Sequence, residues 1–384
     1  MTIILLDLDA FFCAVEEQYT PSLQGKPFAV GARPEERGGV ASCSYPARAY
    51  GIHSAMPMGE AVRRCPDLII VPHRRDAYRQ ASRRVMALLR RTTRLVEQLS
   101  IDEAFLDVSA LDEPGEAVAR RLQDAIRTQL DLPCSLGVAA NKLVAKIANS
   151  VGKRRAGTGG YPNAITVVPP GQEAEFLAPL DVRGLWGIGP KTAERLHALG
   201  IETIGDLAAH PTEDLAFRFG KHGADLARRA RGIDERPIVT QRTPKSLSRE
   251  TTFAVDIRDE ATLQRTIRTL AGSVGRRLRR HRLRARTVTI KLRWSDFTML
   301  TRQVTLPHAI HTDEAIITQG LALLNMHWPQ GRPVRLIGIG VSGFEEAPQQ
   351  IGLWDEEAKS DRRLAETLDA LRDRFGDDII RRGE

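Results

Sequence analysis

The chain has 384 residues, too many for one ordinary core, so roughly two to four domains are expected, and its 42% hydrophobic content is enough for globular ones. No run is long and apolar enough to span a membrane, and Asp7 and Asp9 interrupt an N-terminal apolar run that no basic segment precedes, so no signal peptide is expected. A net charge of +8 points to a polyanionic partner, and Cys13, Cys43, Cys65 and Cys134, far apart and without C-x-x-C, read as reduced cytosolic thiols instead of a disulfide framework or zinc site.

Residues 3–8 predict a buried strand ending in Asp7-Leu8-Asp9, and a short helix starts at Phe11. Residues 19–74, rich in Pro, Gly and Arg, predict a small inserted subdomain. A long helix is expected over 76–94, with Ala77, Ala81, Val85 and Leu88 on one face, then a hairpin near 97–108, a helix around 114–129, a strand at 134–140 and a helix over 141–151. The order β-α-β-β-α-β is the split βαβ arrangement of a ferredoxin-like domain. Residues 166–230 read as short helices joined by Gly-rich turns, among them a helix-hairpin-helix around Leu185-Trp186-Gly187-Ile188-Gly189-Pro190-Lys191. Residues 231–244 read as a linker. The segment 245–345 repeats β-α-β-β-α-β, with Leu263, Ile267, Leu270, Val274 and Leu278 on one helix face. Residues 346–384 form a charged tail with one expected helix at 361–375. The fold class is α+β and multidomain.

Two acidic clusters carry the chemistry: Asp7-Leu8-Asp9, and Asp102-Glu103 within Ser100-Ile101-Asp102-Glu103-Ala104-Phe105. Carboxylates closing apolar runs are costly to bury unless something positive compensates them. Oxygen-only ligands suit Mg²⁺ or Mn²⁺, and two such cations on shared carboxylates are the usual apparatus for in-line displacement at phosphorus. Asp102 and Glu103 are adjacent and would face opposite ways in a straight strand, so residues 100–102 must form a turn if both serve one site. Asp7 and Asp102 would then bridge the metals with the Leu8 carbonyl as a further ligand, and Glu103 would complete the site near an attacking 3′-hydroxyl. Asp9 either orients a neighbour or caps the helix at Phe11. An aromatic ring from Phe11-Phe12 could stand beneath the sugar of a nucleotide, with one of the two left to the core. Ser42, Tyr45 and Arg48 make a triphosphate grip, with Lys153 as a second cation. The turn at Gly187 and Gly189, followed by Lys191, either offers its amides to a DNA phosphate or packs two helices together. Nine Lys/Arg and no acid lie from Arg276 to Arg293; these nine, Arg286, Lys291 and Arg293 among them, predict a phosphate-tracking surface.

These stretches together resemble the Y-family of translesion DNA polymerases, most closely its bacterial DNA polymerase IV (DinB) branch. The matching runs are Asp7-Leu8-Asp9-Ala10-Phe11-Phe12, Ala47-Arg48-Ala49-Tyr50-Gly51-Ile52 through Ser54-Ala55-Met56-Pro57, Ser100 to Ala104, Gly137-Val138-Ala139-Ala140-Asn141-Lys142 and Trp186-Gly187-Ile188-Gly189. The resemblance implies a right hand with palm (1–10 and 75–165), fingers (11–74), helix-hairpin-helix thumb (166–230) and ferredoxin-like little finger (245–345). It implies metal-binding Asp7 and Asp102, catalytic Glu103, Phe12 as a sugar-discriminating steric gate, and Tyr45, Arg48 and Lys153 on the triphosphate. Two departures stand out: Cys13 where a small alanine is usual, and Arg154-Arg155 where Pro-Asx is expected. Gln350-Ile351-Gly352-Leu353-Trp354 resembles the sliding-clamp peptide of bacterial polymerases, with Trp for the usual Phe, so that Gln350, Ile351, Leu353 and Trp354 would bind a clamp. The expected activity is template-directed, low-fidelity DNA synthesis by a cytoplasmic, nucleoid-associated monomer using dNTPs, primer-template DNA and two Mg²⁺. A catalytically silent DNA-binding adaptor would lack the carboxylates, and a palm-type nucleotide cyclase would have no use for the helix-hairpin-helix.

Overall fold

The computed structural model describes residues 1–345 and, beyond them, Thr367, Leu371 and Arg374. The clamp-like peptide at 350–354 and most of the expected tail helix lie outside the described residues. The chain forms two compact units, Met1–Arg242 and Thr243–Glu384. No described helix is long and apolar enough to cross a membrane.

The first unit opens with β1 (Ile3–Leu8) and α1 (Phe11–Tyr19). Next comes a small insertion of β2 (Phe28–Gly31), β3 (Val40–Cys43), α2 (Tyr45–Arg48), α3 (Met58–Arg64) and β4 (Ile69–Val71), with its own sheet in the order β3-β2-β4. The chain then returns through α4 (Arg75–Thr92), β5 (Val96–Gln98), β6 (Glu103–Asp107), α5 (Gly115–Leu130), β7 (Cys134–Ala139), α6 (Lys142–Ala156) and β8 (Ile165–Val167). The main sheet has the order β5-β6-β1-β7-β8, so β1 lies between two antiparallel neighbours. Its first four strands follow the ferredoxin order expected above. The fifth, β8, was not legible: it has three residues and pairs in parallel with β7, where no alternation betrays it.

Core lies on both faces of the sheet, which explains the unbroken apolar run of β1. Ile4, Leu6 and Leu8 share one buried cluster with residues of α4 and α5; Ile3, Leu5 and Phe105 share another with α6 and the helical segment that follows. Gly137 of β7 sets how deeply α6 settles, since a Cβ there would stand 2.0 Å from the Ala145 carbonyl oxygen. Helix α6 runs past Lys153, so that residue is helical and not beyond the helix end as expected.

Five short helices follow: α7 (Glu173–Leu177), α8 (Pro190–His197), α9 (Ile204–Ala209), α10 (Thr212–Phe219) and α11 (Lys221–Ala230). Residues 231–242, expected as a linker, are instead fastened to the sheet end of α6. The Asn141 side chain donates to the Gly232 carbonyl (2.8 Å), the Leu143 amide to Asp234 (3.0 Å) and Lys142 Nζ to the Pro237 carbonyl (2.7 Å). Glu97, fully buried on β5, accepts from Lys142 Nζ (2.9 Å), the Val239 amide (3.0 Å) and Arg242. Proline and charge imply a tether in sequence, but they do not reveal that a buried carboxylate 142 residues before Val239 waits for this strap.

The second unit contains β9 (Ser246–Ile257), α12 (Glu260–Arg280), β10 (Arg284–Trp294), β11 (Met299–Ile310), α13 (Asp313–His327) and β12 (Val334–Glu345). The element order is the expected one, but the strand order, β11-β10-β12-β9, is not the ferredoxin order of the first unit. The burial pattern gives the reason: β10 and β12 carry the buried Val288, Ile290, Leu292, Ile337, Ile339 and Val341, whereas β9 and β11 are largely exposed and take the edges.

Burial raises the Glu97 carboxyl pKa, but the Lys142 hydrogen bond, the Val239 amide and the charges of Lys142 and Arg242 outweigh it and hold it below the usual range. Its stabilisation is therefore complete above the unfolded carboxyl pKa, declines below it and is lost as pH falls through the lower folded value. Glu97→Gln should cost about 3 kcal/mol at pH 7, because it leaves a buried ammonium without its counter-charge. Urea unfolding should show this deficit shrinking toward pH 4, and an equal deficit at both pH values would count against the pairing.

Candidate active site

Asp7 and Glu103 face each other across the β1–β6 ladder and share the sheet face on which α6 lies. Residues 99–102 form the tight turn that the adjacent acids require: the Leu99 amide donates to the Glu103 carbonyl (3.0 Å), and Ser100 Oγ donates to Asp102 Oδ1. The turn abuts the end of β1, where the Leu8 amide donates to the Asp102 carbonyl (3.0 Å). Beyond Asp9 the chain bends through Ala10 in the left-handed region (φ 42°), which costs a non-glycine residue about 1–3 kcal/mol, and enters α1 without a side-chain cap. Asp9 is thus no helix cap. It is fully buried, accepting from Ser135 Oγ (2.8 Å) and the Asn163 amide (3.2 Å).

Asp7, Leu8, Phe11, Phe12, Ser42, Tyr45, Arg48, Asp102 and Lys153 line one cleft of about 260 Å³. Phe11 is nearly all core, whereas Phe12 is half-buried and stacks on Tyr78, with ring centroids 4.3 Å apart and planes 15° apart. Tyr45 opens α2, which Ser44 caps by accepting from the Ala47 amide, and the Arg48 guanidinium lies 4.5 Å from its ring centre. Burial, with Asp9 nearby, pushes the Tyr45 phenol up to about 12, so it is a hydrogen-bond donor at neutral pH.

The carboxylates do not form a ready-made metal cage: among the described residues no three His, Cys, Asp or Glu side chains converge tightly enough. Lysines of α6 hold them instead. Lys153 Nζ lies 2.5 Å from Asp7 and 2.8 Å from Asp9, and Lys146 Nζ donates to Glu103. Burial works against the Lys153 charge, but Asp7 and Asp9 outweigh it and raise its pKa. Even so, the site is short of positive charge. Burial pushes the Asp7 carboxyl up to about 6, and repulsion from Asp102 and Glu103 adds to this against the pull of Lys153. An all-oxygen donor set whose lysines do not offset the burial of Asp7 fits a hard divalent ion.

The other expected contacts are placed as follows. Gly187 needs its glycine, at φ +107°, whereas Gly189 has ordinary backbone angles but opens α8 with no atom near where a Cβ would be; Lys191 is exposed. In the second unit Lys291 pairs with Glu250 (2.8 Å), Arg279 with Asp313 (2.7 Å), and Arg286 donates to the Leu306 and Pro307 carbonyls. The basic run is therefore partly compensated by acids that sequence places far from it. Arg293 is half-buried and, like Lys291, alternates with the buried Leu292. Sequence reasoning missed Lys146, Ser135 and Tyr78. The lysines had left a signal, since positions 142, 146 and 153 fall along one stripe of an otherwise mostly apolar helix.

A model of the impB/mucB/samB family matches residues 6–150, the C-terminal domain of that family residues 244–353, and the family's helix-hairpin-helix motif residues 170–201. Proteins described as DNA polymerase IV match almost end to end: one from Dehalococcoides mccartyi is 37% identical, over 98% of this chain and 96% of its own length, and one from Halorhodospira halophila is 40% identical, over 92% and 98%. The chain belongs to the DNA polymerase IV branch of the Y-family. A solved Y-family polymerase chimera of Dbh and Dpo4 superposes with a TM-score of 0.78 at 28% identity, covering 89% of this chain and 99% of that one. An insertion ternary complex of Dbh DNA polymerase gives 0.64 at 28% identity, with 89% and 98% covered. Membership makes the chain a DNA-directed DNA polymerase of the translesion class.

Asp9→Ala would leave Ser135, the Asn163 amide and Lys153 without their shared acceptor. We expect it to lower the unfolding free energy by about 3 kcal/mol in urea titrations; a change within error would show that Asp9 is not the anchor of this end of β1.

Proposed function

We propose that this polymerase extends a primer 3′-end with dNTPs at the cleft between β1, the 99–102 turn, α1 and α2, by two-cation phosphoryl transfer on primer-template DNA. The carrying observation is the convergence on one cleft of Asp7 and Asp102 with Phe12, Tyr45 and Arg48, while Glu103 stands opposite Asp7. Asp7, Asp102, Glu103 and the Leu8 carbonyl would hold two Mg²⁺, replaceable by Mn²⁺. Bound there, the ions would supply charge neutralisation on the triphosphate and acidify the primer hydroxyl.

The protein's own groups then have separable tasks. Tyr45 donates to a phosphate oxygen and Arg48 offers a planar fork. Lys153 balances part of the charge on the carboxylate side of the cleft and, as an ammonium, would pair with a triphosphate oxygen; Ser42 and Phe11 complete the wall. The Phe12 ring, braced by Tyr78, stands where a 2′-hydroxyl would press. Residues 1–10 and 75–165 would serve as palm, 11–74 as fingers, 166–230 as thumb and 245–345 as little finger. Sequence-independent DNA contacts are assigned to the amides at Gly187 and Gly189, to Lys191, and to the face bearing Arg286, Lys291 and Arg293. Gln350, Ile351, Leu353 and Trp354 are assigned to a sliding clamp, and the protein to a monomer near the nucleoid.

Asp102→Asn and Glu103→Gln should each abolish primer extension while fluorescence anisotropy still shows tight DNA binding; normal extension by either would remove the metal assignment. Phe12→Ala should admit ribonucleotides, raising their incorporation relative to dNTPs by about 100-fold or more, as loss of a steric clash of a few kcal/mol allows. Unchanged sugar discrimination in single-nucleotide assays would move the gate elsewhere.

A further inference from the structure

Lys146 lies outside the cleft lining, yet it is the basic side chain that grips Glu103. Its ammonium is held on a second side as well, 5.3 Å from the ring centre of Trp186. Trp186 immediately precedes Gly187, so it belongs to the turn that opens α8. The same indole faces the Arg236 guanidinium at 4.7 Å and tilts against Phe105 at 5.9 Å. Phe105 is two residues along β6 from Glu103 and therefore points to the same face. Arg236 in turn forks onto Asp234 (2.6 and 2.9 Å), whose other bond reaches the first turn of α6. Lys146 thus cannot swing into solvent without leaving both a carboxylate and an aromatic face that attracts its charge. The stack is contiguous from the helix-hairpin-helix turn to Glu103.

We propose that Lys146 is a positioning residue for Glu103 and that Trp186 holds Lys146 in place. Seating of the 185–189 turn and orientation of the reactive carboxylate are then coupled through one side-chain stack. A freely rotating glutamate would sample many orientations, whereas one anchored through Oε1 to Lys146 is restricted to few. The inference rests on the reading of Glu103 as a catalytic carboxylate.

The test uses the full chain with primer-template DNA, measuring the maximal rate and KM of single-nucleotide incorporation, DNA affinity by anisotropy and the thermal midpoint. Lys146→Met keeps the stem on the indole but removes the charge. It should lower the maximal rate roughly 10–100-fold, as loss of an orienting partner does, with DNA affinity and dNTP KM nearly unchanged. Lys146→Arg should restore most of that rate, and Trp186→Leu should reproduce part of the loss. A Lys146→Met protein extending at the parental rate overturns the proposal, as does a loss confined to KM or DNA affinity, or one that arginine does not repair. Glu103→Gln is the control: if it extends normally, the assignment of Glu103 fails whatever the Lys146 variants do, whereas an inert Glu103→Gln beside a fully active Lys146→Met sinks only the positioning role.

Discussion

Negative charge gathered at the ends of strands buried on both faces is the constraint around which the first unit is arranged. Asp9 is fully buried and Asp7 and Glu103 partly so, and carboxylates held in this way persist beside compensating cations. One helix, α6, supplies them: Lys153 to Asp7 and Asp9, Lys146 to Glu103, and Lys142 to Glu97 at the far end of the same stripe. The polar edge of the site is therefore built from a single rigid body laid on the sheet. This arrangement leaves the Asp7 carboxyl incompletely neutralised, which is the electrostatic condition a divalent ion would relieve.

Much of this was legible in the chain. The apolar run ending in Asp7-Leu8-Asp9 and the acids at 102 and 103 announce a strand end and a turn, because continuous apolarity followed by charge has few other folded solutions. Phe12, Tyr45 and Arg48 were legible mainly through resemblance, since single aromatics and arginines occur on any surface. Less was readable where meaning depends on distant partners. Asp9 looked equally like a helix cap, and only the buried hydroxyl of Ser135 decides otherwise. The nine cations between 276 and 293 looked unopposed because Glu250 and Asp313 are remote in sequence but adjacent in the sheet and helix layer. Residues 231–242 looked like a tether because their anchor, Glu97, gives no sign in sequence of being buried.

The second unit shows how burial can override a topology inferred from element order. Two β-α-β-β-α-β segments share a sequence pattern yet order their strands differently. In the first, the strand carrying Asp7 is apolar on both faces and takes the centre; in the second, β12 with its run of Ile and Val displaces the first strand to the edge. Periodicity fixes which residues face the core, while the total apolarity of each strand decides which of them can tolerate an exposed side.

Gly137 gives this design an unexpected point of control. The missing side chain lets α6 descend onto β7 until its backbone nearly touches the sheet. Lysine stems have a fixed length, so the interlayer gap decides whether Lys146 and Lys153 can touch their acids at all. A methyl group here, opposite Leu5 on the neighbouring strand, would lift the helix and pull both ammonium groups back together, switching off charge balance in the cleft as a mechanical side effect.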